Sequence, residues 1–226
     1  MALVPSDACV LTPVLKAYQL MRKRVLIATS NPGKLRDLAG AAEAYGIEIV
    51  PIPDFASLTP VVEDGATFEA NARKKAEEYS LAVAGEIVLA DDSGLEVDAL
   101  GGAPGIHSAR YAAEVPHLAD SNSDDQDNNA RLLRELKNVP TEKRTARFVC
   151  VLAAARDGKT IETFRGEAEG IILENPRGDN GFGYDPLFYF PQIEKAFAEL
   201  TPAEKATYSH RGASFRAFLA WLDVAS

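Results

Sequence analysis

The sequence has little cysteine, no long apolar run and no excess of positive charge, and each shortage excludes a class of protein. Its 226 residues include two cysteines, Cys9 and Cys150, which are too few and too far apart for a disulfide framework. No apolar run approaches the roughly 20 residues that a membrane span needs. The net charge of -9 argues against a general nucleic-acid-binding protein, which needs a basic face. We therefore expect neither nucleic acid nor membrane as a partner.

The cysteine usage and the N-terminal segment both indicate the cytoplasm. Cys150 lies within the apolar run 148–152, as expected of a reduced thiol in a buried strand. The basic cluster 22–24 follows the apolar part of the first residues, whereas a secretory signal has the opposite order. We predict that residues 1–22 form a disordered N-terminal extension, with Met21 as an alternative start. At 46% hydrophobic residues, 23–226 can bury the core of a single domain.

Apolar runs and turn residues predict an α/β fold. The run 25–28 is typical of a buried central strand, and a helix with apolar positions through Ala42 separates it from a second strand at 47–50. Asp157-Gly158 predicts a hairpin between strands at 146–155 and 160–172. Further helices are predicted after the caps Thr67 and Thr201. We find no internal repeats.

The chain is organised around residues 90–95, Ala-Asp-Asp-Ser-Gly-Leu, which follow an apolar run. The Ser-Gly pair predicts a tight turn at the end of a strand. Since successive side chains of a strand point to opposite faces, only one of the two aspartates can easily face a given cleft. We expect Asp92, at the end of the strand, to hold a metal ion and Asp91 to support it. An acidic surface turn that caps a helix is the alternative.

A polar loop between the first strand and its helix is suited to phosphate. It combines hydroxyls, a helix N-terminus and a lysine. It is not a Walker A motif, because Ala28 and Leu35 stand where that motif needs glycine and a hydroxyl residue. An ordinary strand–helix turn with a surface lysine is the alternative. The candidate phosphate-binding residues are Thr29, Ser30, Asn31, Pro32, Gly33 and Lys34.

A second carboxylate, Glu63, precedes a helix on which Asn71 and Lys75 lie one turn apart. Glu63 and Asp92 together suit Mg²⁺, which prefers hard oxygen ligands and keeps waters for substrate phosphates. We therefore expect Mg²⁺ as the cofactor, for which Mn²⁺ can substitute. A water activated with help from Asp92 could attack phosphorus. A solvated helix face is the alternative for Asn71 and Lys75.

Two later segments are suited to a base and a sugar. Phe182, Gly183, Tyr184 and Asp185 form an aromatic, glycine-containing turn, for which packing in the core is the alternative. His210 and Arg211 open the last helix, where the guanidinium is a natural donor to a base carbonyl. The acidic stretch 120–129 lacks the glycine and terminal glutamate of a calcium-binding loop, so we interpret it as a solvated loop that caps a helix over 130–136.

Taken in order, these segments resemble the inosine triphosphate pyrophosphatase family, also called the Ham1-like family. The similarity extends over essentially residues 24–222 in the order of the family. The segments that carry it are 28–34, 63–72, 90–95, 101–106, 108–111, 181–186, 198–200, 204–205 and 209–212. The leader before Arg22 has no counterpart in the family.

The resemblance implies an elongated, highly twisted mixed β-sheet, with flanking helices forming two lobes around a central cleft. It implies that 23–226 is one catalytic domain, a homodimer that hydrolyses ITP, dITP and XTP to the monophosphate and pyrophosphate. Asp92 matches the catalytic residue and metal ligand, and Glu63 matches the other metal ligand. The family's substrate contacts match Thr29 to Lys34, Lys75, Ser93, Phe182 to Asp185, Lys205, His210 and Arg211.

Two other functions are compatible with these residues. One is a related pyrophosphatase that acts on modified pyrimidine or canonical nucleotides. The other is a nucleotide-sensing module without turnover. The presence of both Glu63 and Asp92 argues against a passive binder, which needs no carboxylate to activate water.

Overall fold

The computed structural model of the protein describes residues 23–43, 45–113 and 123–225. The predicted extension at 1–22 lies outside them. Within the described residues, seven strands form one mixed sheet of order β2-β1-β3-β4-β5-β6-β7. The strands are β1 (Lys23–Ile27), β2 (Ile47–Pro51), β3 (Val88–Val97), β4 (Thr145–Arg156), β5 (Lys159–Ile172), β6 (Phe188–Phe190) and β7 (Lys195–Ala196). The helices are α1 (Pro32–Glu43), α2 (Phe68–Ser80), α3 (Asp125–Glu135), α4 (Pro202–Tyr208) and α5 (His210–Ala225).

The predicted mixed sheet with flanking helices is confirmed. Strand β1 runs parallel to both β2 and β3, and each pair from β3 to β7 is antiparallel. Strands β2 and β3 flank β1 on opposite sides: α1 connects β1 to β2, and α2 lies in the connection from β2 to β3. This reversal makes a crevice beyond the carboxyl end of β1, the usual place for a ligand in such sheets.

Alternation along the strands distributes the core over both faces of the sheet. Leu89 of β3 packs with apolar residues of α1 and α5 on one face. Val88 and Ala90 pack on the other face with Phe68 and neighbouring alanines of α2. A third cluster surrounds the far end of β3 and includes Leu95. Asp91 must therefore face α1 and α5, and Asp92 must face α2.

The turn predicted at Ser93-Gly94 is wrong, because β3 continues through both residues to Val97. A Cβ on Gly94 would lie 2.4 Å from Ser108 Oγ and 2.6 Å from the Gly105 carbonyl oxygen. The glycine thus permits close approach of the short helical segment Gly105–Arg110, rather than a change of chain direction. Asp92 consequently lies in the middle of β3, not at its end.

The interpretation of 120–129 as a solvated loop is wrong for its second half. Asp124 caps α3, which begins at Asp125, and Asn128 is buried. Acidic residues in a first turn favour a helix through its dipole, which is why this composition suits a helix start as well as a loop. The predicted hairpin at Asp157-Gly158 and the capping box at Thr201 are both confirmed.

None of the helices in the described ranges combines the length and apolarity that crossing a bilayer requires.

Candidate active site

The candidate site is a cavity of about 330 Å³ beside the part of β3 that has no strand partner on the β1 side. Strand β1 pairs with β3 only as far as Leu89, so the following residues of β3 have no neighbouring strand on that side. The cavity extends around this edge and therefore receives both Asp91 and Asp92, although they face opposite sides of the sheet. Adjacent carboxylates can reach one cavity because it lies at the edge of the strand and not over one face.

The predicted phosphate loop contributes four of its six residues to the cavity wall, Thr29, Ser30, Asn31 and Lys34. Asn31 caps α1, since its Oδ1 accepts the Gly33 N–H at 2.8 Å and the Lys34 N–H at 3.1 Å. Pro32 and Gly33, the first two residues of α1, do not line the cavity. The loop therefore presents polar side chains and the Lys34 ammonium, while the Asn31 cap occupies two of the helix amides.

Glu63 and Asp92 meet at a common cation. Lys75 Nζ donates to Glu63 Oε2 at 3.0 Å and to Asp92 Oδ1 at 3.3 Å. The other Asp92 oxygen accepts from Asn71 Nδ2 at 3.1 Å, and Asn71 Oδ1 accepts the Gly65 N–H at 2.8 Å. Helix α2 thus orients Asp92 through two side chains one turn apart and fixes the loop that carries Glu63.

Asp91 faces a different set of cations. Its Oδ2 lies 3.0 Å from Lys34 Nζ and 3.5 Å from Arg211 Nε. Ser93 Oγ donates to this oxygen at 3.2 Å and accepts from Arg211 Nη2 at 2.7 Å. Asp91 therefore fixes the charged ends of residues from both α1 and α5. That Asp91 supports a metal ion held by Asp92 stays a prediction.

Aromatic and charged residues form the other wall. The Phe182 ring lies 4.8 Å from Lys205 Nζ and 5.4 Å from the Arg211 guanidinium. Asp185 Oδ2 accepts the Phe182 N–H at 2.8 Å and binds Lys205 Nζ at 2.6 Å. Lys205 does not line the cavity itself but is buried behind this turn. His210 stacks on Phe148 with ring centres 4.7 Å apart.

Known proteins are similar to this chain in sequence and in fold. The sequence profile of the Ham1 family matches residues 25–221. The chain belongs to the Ham1 family. A dITP/XTP pyrophosphatase of Desulforamulus reducens is 48% identical to it over 196 residues, covering 85% of this chain and 92% of that protein. One of Thermus thermophilus is 47% identical, covering 87% and 90%. The structure of the Staphylococcus aureus Ham1 protein covers 90% of this chain and all of that one, at 38% identity and a TM-score of 0.75.

The two adjacent aspartates of this Ham1-family chain have opposite electrostatic environments. Burial opposes ionisation of Asp91, but Lys34 and Arg211 outweigh it and hold its pKa below the usual range. Burial raises the pKa of Asp92, because the attraction of Lys75 and Lys34 does not fully offset it and the charge of Glu63 adds to the rise. Asp91 is therefore ionised at neutral pH, whereas the proton affinity of Asp92 is raised.

Other ionisable groups of the Ham1-family cavity are shifted by burial or by its cations. Burial opposes ionisation of Glu63, but Lys75 and then Lys34 outweigh it and lower its pKa. Burial lowers the pKa of His210 well below its ordinary value, and neighbouring Arg211 lowers it further, so this imidazole is neutral. Arg211 remains protonated, because its acidic neighbours raise its pKa despite burial.

Several residues of the Ham1-family site were not predicted from the sequence. Asp37 of α1 accepts from Arg211 Nη1 at 2.9 Å and lies 3.5 Å from Lys205 Nζ. Its position one turn after Lys34 was the available signal. Arg110 and Asp125 line the cavity, and Arg110 Nε is buried without a hydrogen-bond partner among the described residues. Both belong to segments whose approach to the cavity depends on tertiary packing.

Proposed function

We propose that the protein hydrolyses the non-canonical purine nucleotides dITP, ITP and XTP to the monophosphate and pyrophosphate. One observation carries this proposal: Glu63 and Asp92 share Lys75 in a cavity that is also reached by Lys34 and Arg211. The cavity thus combines an acidic pair, cations for a triphosphate and a guanidinium for a base. Relatives named dITP/XTP pyrophosphatase, about half identical over most of the chain, support the choice of substrate.

The acidic pair fits a divalent cation by its chemistry. The described residues hold no group of three or more histidine, cysteine or acidic side chains that could form a protein-only metal site. Mg²⁺ needs no such group, since it commonly binds one or two carboxylates and completes its shell with water and phosphate. Glu63 and Asp92 would hold it, with Mn²⁺ as a substitute. When bound, the ion neutralises phosphate charge and makes a water molecule more acidic.

The side chains then divide the work of breaking the α–β anhydride. Asp92 takes a proton from the attacking water as the new oxygen–phosphorus bond forms. Asn71 keeps its carboxylate oriented for that transfer. Lys34 and Lys75 balance charge on the triphosphate as pyrophosphate leaves. No side chain forms a covalent bond to the substrate in this scheme.

The opposite wall selects the base. A 6-oxo purine offers a carbonyl acceptor where adenine carries an amino group, so Arg211 can bond the former and not the latter. Leaving a buried donor unpaired costs roughly 1–3 kcal/mol, which supplies discrimination. His210 stays neutral beside Arg211 and adds no second charge. Phe182 provides an aromatic surface for stacking.

The same proposal treats residues 23–226 as one catalytic domain, working as a homodimer in the cytoplasm, without nucleic acid or membrane as partners. It is tested by pyrophosphate release from ITP, dITP, XTP, GTP, ATP, dUTP and TTP, with and without Mg²⁺. We expect release from the first three only, and only with the metal. Equal rates with ATP or TTP would refute the substrate assignment. Sedimentation equilibrium would test the dimer.

A further inference from the structure

The turn that carries the aromatic wall is held by two side chains of α3. Gly183 has φ of 60°, a conformation that glycine adopts at no steric cost and that does not by itself hold the loop in one geometry. Its N–H donates to Asp125 Oδ2 at 2.6 Å, and its carbonyl oxygen accepts from Asn129 Nδ2 at 2.9 Å. Both backbone polar groups of one residue are thus bound by side chains four positions apart on α3.

The orientation of Asn129 is determined by this contact. If its amide were turned over, Oδ1 would face the Gly183 carbonyl oxygen, placing two acceptors together. In the observed orientation Oδ1 is buried and without a hydrogen-bond partner among the described residues. Because a buried acceptor is usually hydrogen-bonded, the unsatisfied Oδ1 indicates that the bond to the Gly183 carbonyl determines how the Asn129 amide is oriented.

Helix α3 is itself anchored firmly enough to act as a support. Leu132 is completely buried in the cluster that surrounds the far end of β3. Asn128 accepts the Ala112 N–H at 2.6 Å, and Arg131 donates to the Ala113 carbonyl at 3.0 Å. The helix therefore holds both the segment that follows Gly105–Arg110 and the aromatic turn.

The turn is fixed at its other residues by groups outside α3. Asp185 accepts the Phe182 N–H, and Tyr184 Oη donates to the Ser108 carbonyl at 2.7 Å. Gly183 lies between these two, and its backbone polar groups turn away from them toward α3. Without Asp125 and Asn129, the peptide groups on either side of Gly183 could rotate and carry the Phe182 ring with them.

The geometry points to Asp125 and Asn129 as positioning residues that set the base-binding turn and thereby the affinity for the nucleoside. This inference rests on the proposed function, because it assigns Phe182 to the base. The phosphate end is built from α1, α2 and β3, which the pair does not touch. Loss of the pair should therefore weaken recognition of the nucleoside and leave recognition of the triphosphate intact.

The test uses truncating, conservative and control variants. Asp125→Ala and Asn129→Leu remove the acceptor and the donor. Asp125→Asn removes the charge but keeps an acceptor for the Gly183 N–H. Asp127→Ala is the matched control, because Asp127 is an exposed acid in the same first turn and does not line the cavity.

Each variant is examined by steady-state hydrolysis of dITP, by competitive inhibition with inorganic tripolyphosphate, which has no base, and by amide hydrogen exchange at Gly183. For each truncation we expect KM for dITP to rise about fivefold, the typical effect of one hydrogen bond. The kcat and the tripolyphosphate inhibition constant should stay within about twofold, a change smaller than one hydrogen bond produces. Gly183 exchange should accelerate in Asp125→Ala, while Asp125→Asn and Asp127→Ala resemble the wild type.

Unchanged KM and unchanged exchange in both truncations would overturn the inference. A joint rise of KM and the inhibition constant with a fall in kcat would also overturn it, because general destabilisation then explains the effect. If the wild type releases no pyrophosphate from dITP or XTP, the proposed function fails instead. In that case the exchange rates alone decide whether α3 holds the turn.

Discussion

Replacing Lys75 by methionine tests the arrangement on which the proposed chemistry depends. The substitution keeps an unbranched side chain in α2 but removes the ammonium that joins Glu63 to Asp92. Two carboxylates would then face each other without their shared cation. The variant should be less stable and should lose most hydrolytic activity, because it lacks the cation that holds Glu63 and Asp92 together and that balances charge on the triphosphate.

The size of the effect follows from distance and burial. At 3.0 and 3.3 Å the gross attraction is about 5 kcal/mol per pair for an effective dielectric constant near 20, and much of it is offset by desolvation. Removing one partner of a fully buried pair costs about 3–5 kcal/mol. The side chains of Lys75 and Asp92 are each 10% exposed, whereas that of Glu63 is 37% exposed and can turn toward water. We therefore expect a loss of about 2–4 kcal/mol in the free energy of unfolding.

Urea denaturation at pH 7 measures this loss, and Lys74→Met is the matched control. Lys74 is the preceding residue of the same helix and pairs with the exposed Asp64 at 2.8 Å, so its loss should change stability little. The deficit of Lys75→Met should shrink as the pH falls toward 4, since protonation removes the repulsion between the freed carboxylates. Equal stability of the two variants, with wild-type dITP hydrolysis by Lys75→Met, would refute the reasoning.

Four further substitutions, with a fifth as a control, test other predictions. Asp92→Asn should fold normally yet lower kcat for dITP by about 10²–10⁴-fold in a pyrophosphate-release assay, and normal turnover would end its catalytic role. Arg211→Lys keeps the charge but loses the planar fork, so kcat/KM for dITP should fall more than that for dATP; parallel losses would contradict base recognition. Because the pKa of His210 is lowered, only the unfolded chain gains its proton as the pH falls below about 6.5, which should cost about 1.4 kcal/mol at pH 5.5 relative to pH 7.5. In urea titrations, His210→Gln should not show this loss of stability between pH 7.5 and pH 5.5. Parallel pH profiles of the variant and the wild type would contradict the role assigned to His210. Gly94→Ala should destabilise the protein by about 1–3 kcal/mol, because the new methyl group has no room. Gly40→Ala is the control: no atom lies within 4 Å of its methyl group in α1, so it should stabilise the protein by roughly 1 kcal/mol. Thermal unfolding of the two variants tests the close contact at Gly94.

Local signals in the sequence predicted most of the fold. Asp157-Gly158 specifies a tight hairpin through its own backbone preferences, and Thr201 with Glu204 specifies a helix start through hydrogen bonds within four residues. Gly94 was misread because its role depends on Ser108, fourteen residues away in the chain. Asp125 was misread because acidic residues suit both a loop and a helix start. Local sequence patterns fail to predict the structure where the same residues suit two local structures and a distant element determines which one forms.

The candidate site shows the same division. Its separate motifs could be recognised from residue type and spacing, but the connections between them could not. Asp37 and Lys34 share a helix, yet the meeting of Asp37 with Arg211 is set by the packing of α1 against α5. Likewise, nothing near Gly183 in sequence indicates that α3 binds both of its backbone groups. Such contacts follow from tertiary packing. Packing depends on many residues of the chain together, so no local pattern predicts an individual contact.

The adjacent aspartates explain why these connections matter for chemistry. Residues 91 and 92 have the same side chain and neighbouring positions, so the sequence alone offers no reason for them to ionise differently. The pleat of β3 turns Asp91 toward cations of α1 and α5, and turns Asp92 toward Lys75 and the competing charge of Glu63. Their pKa values are therefore driven in opposite directions, one carboxylate remaining an anchor for positive side chains and the other available for a proton. The unpaired edge of β3 then allows both to act on one cavity, so a dipeptide on a single strand can supply two distinct roles.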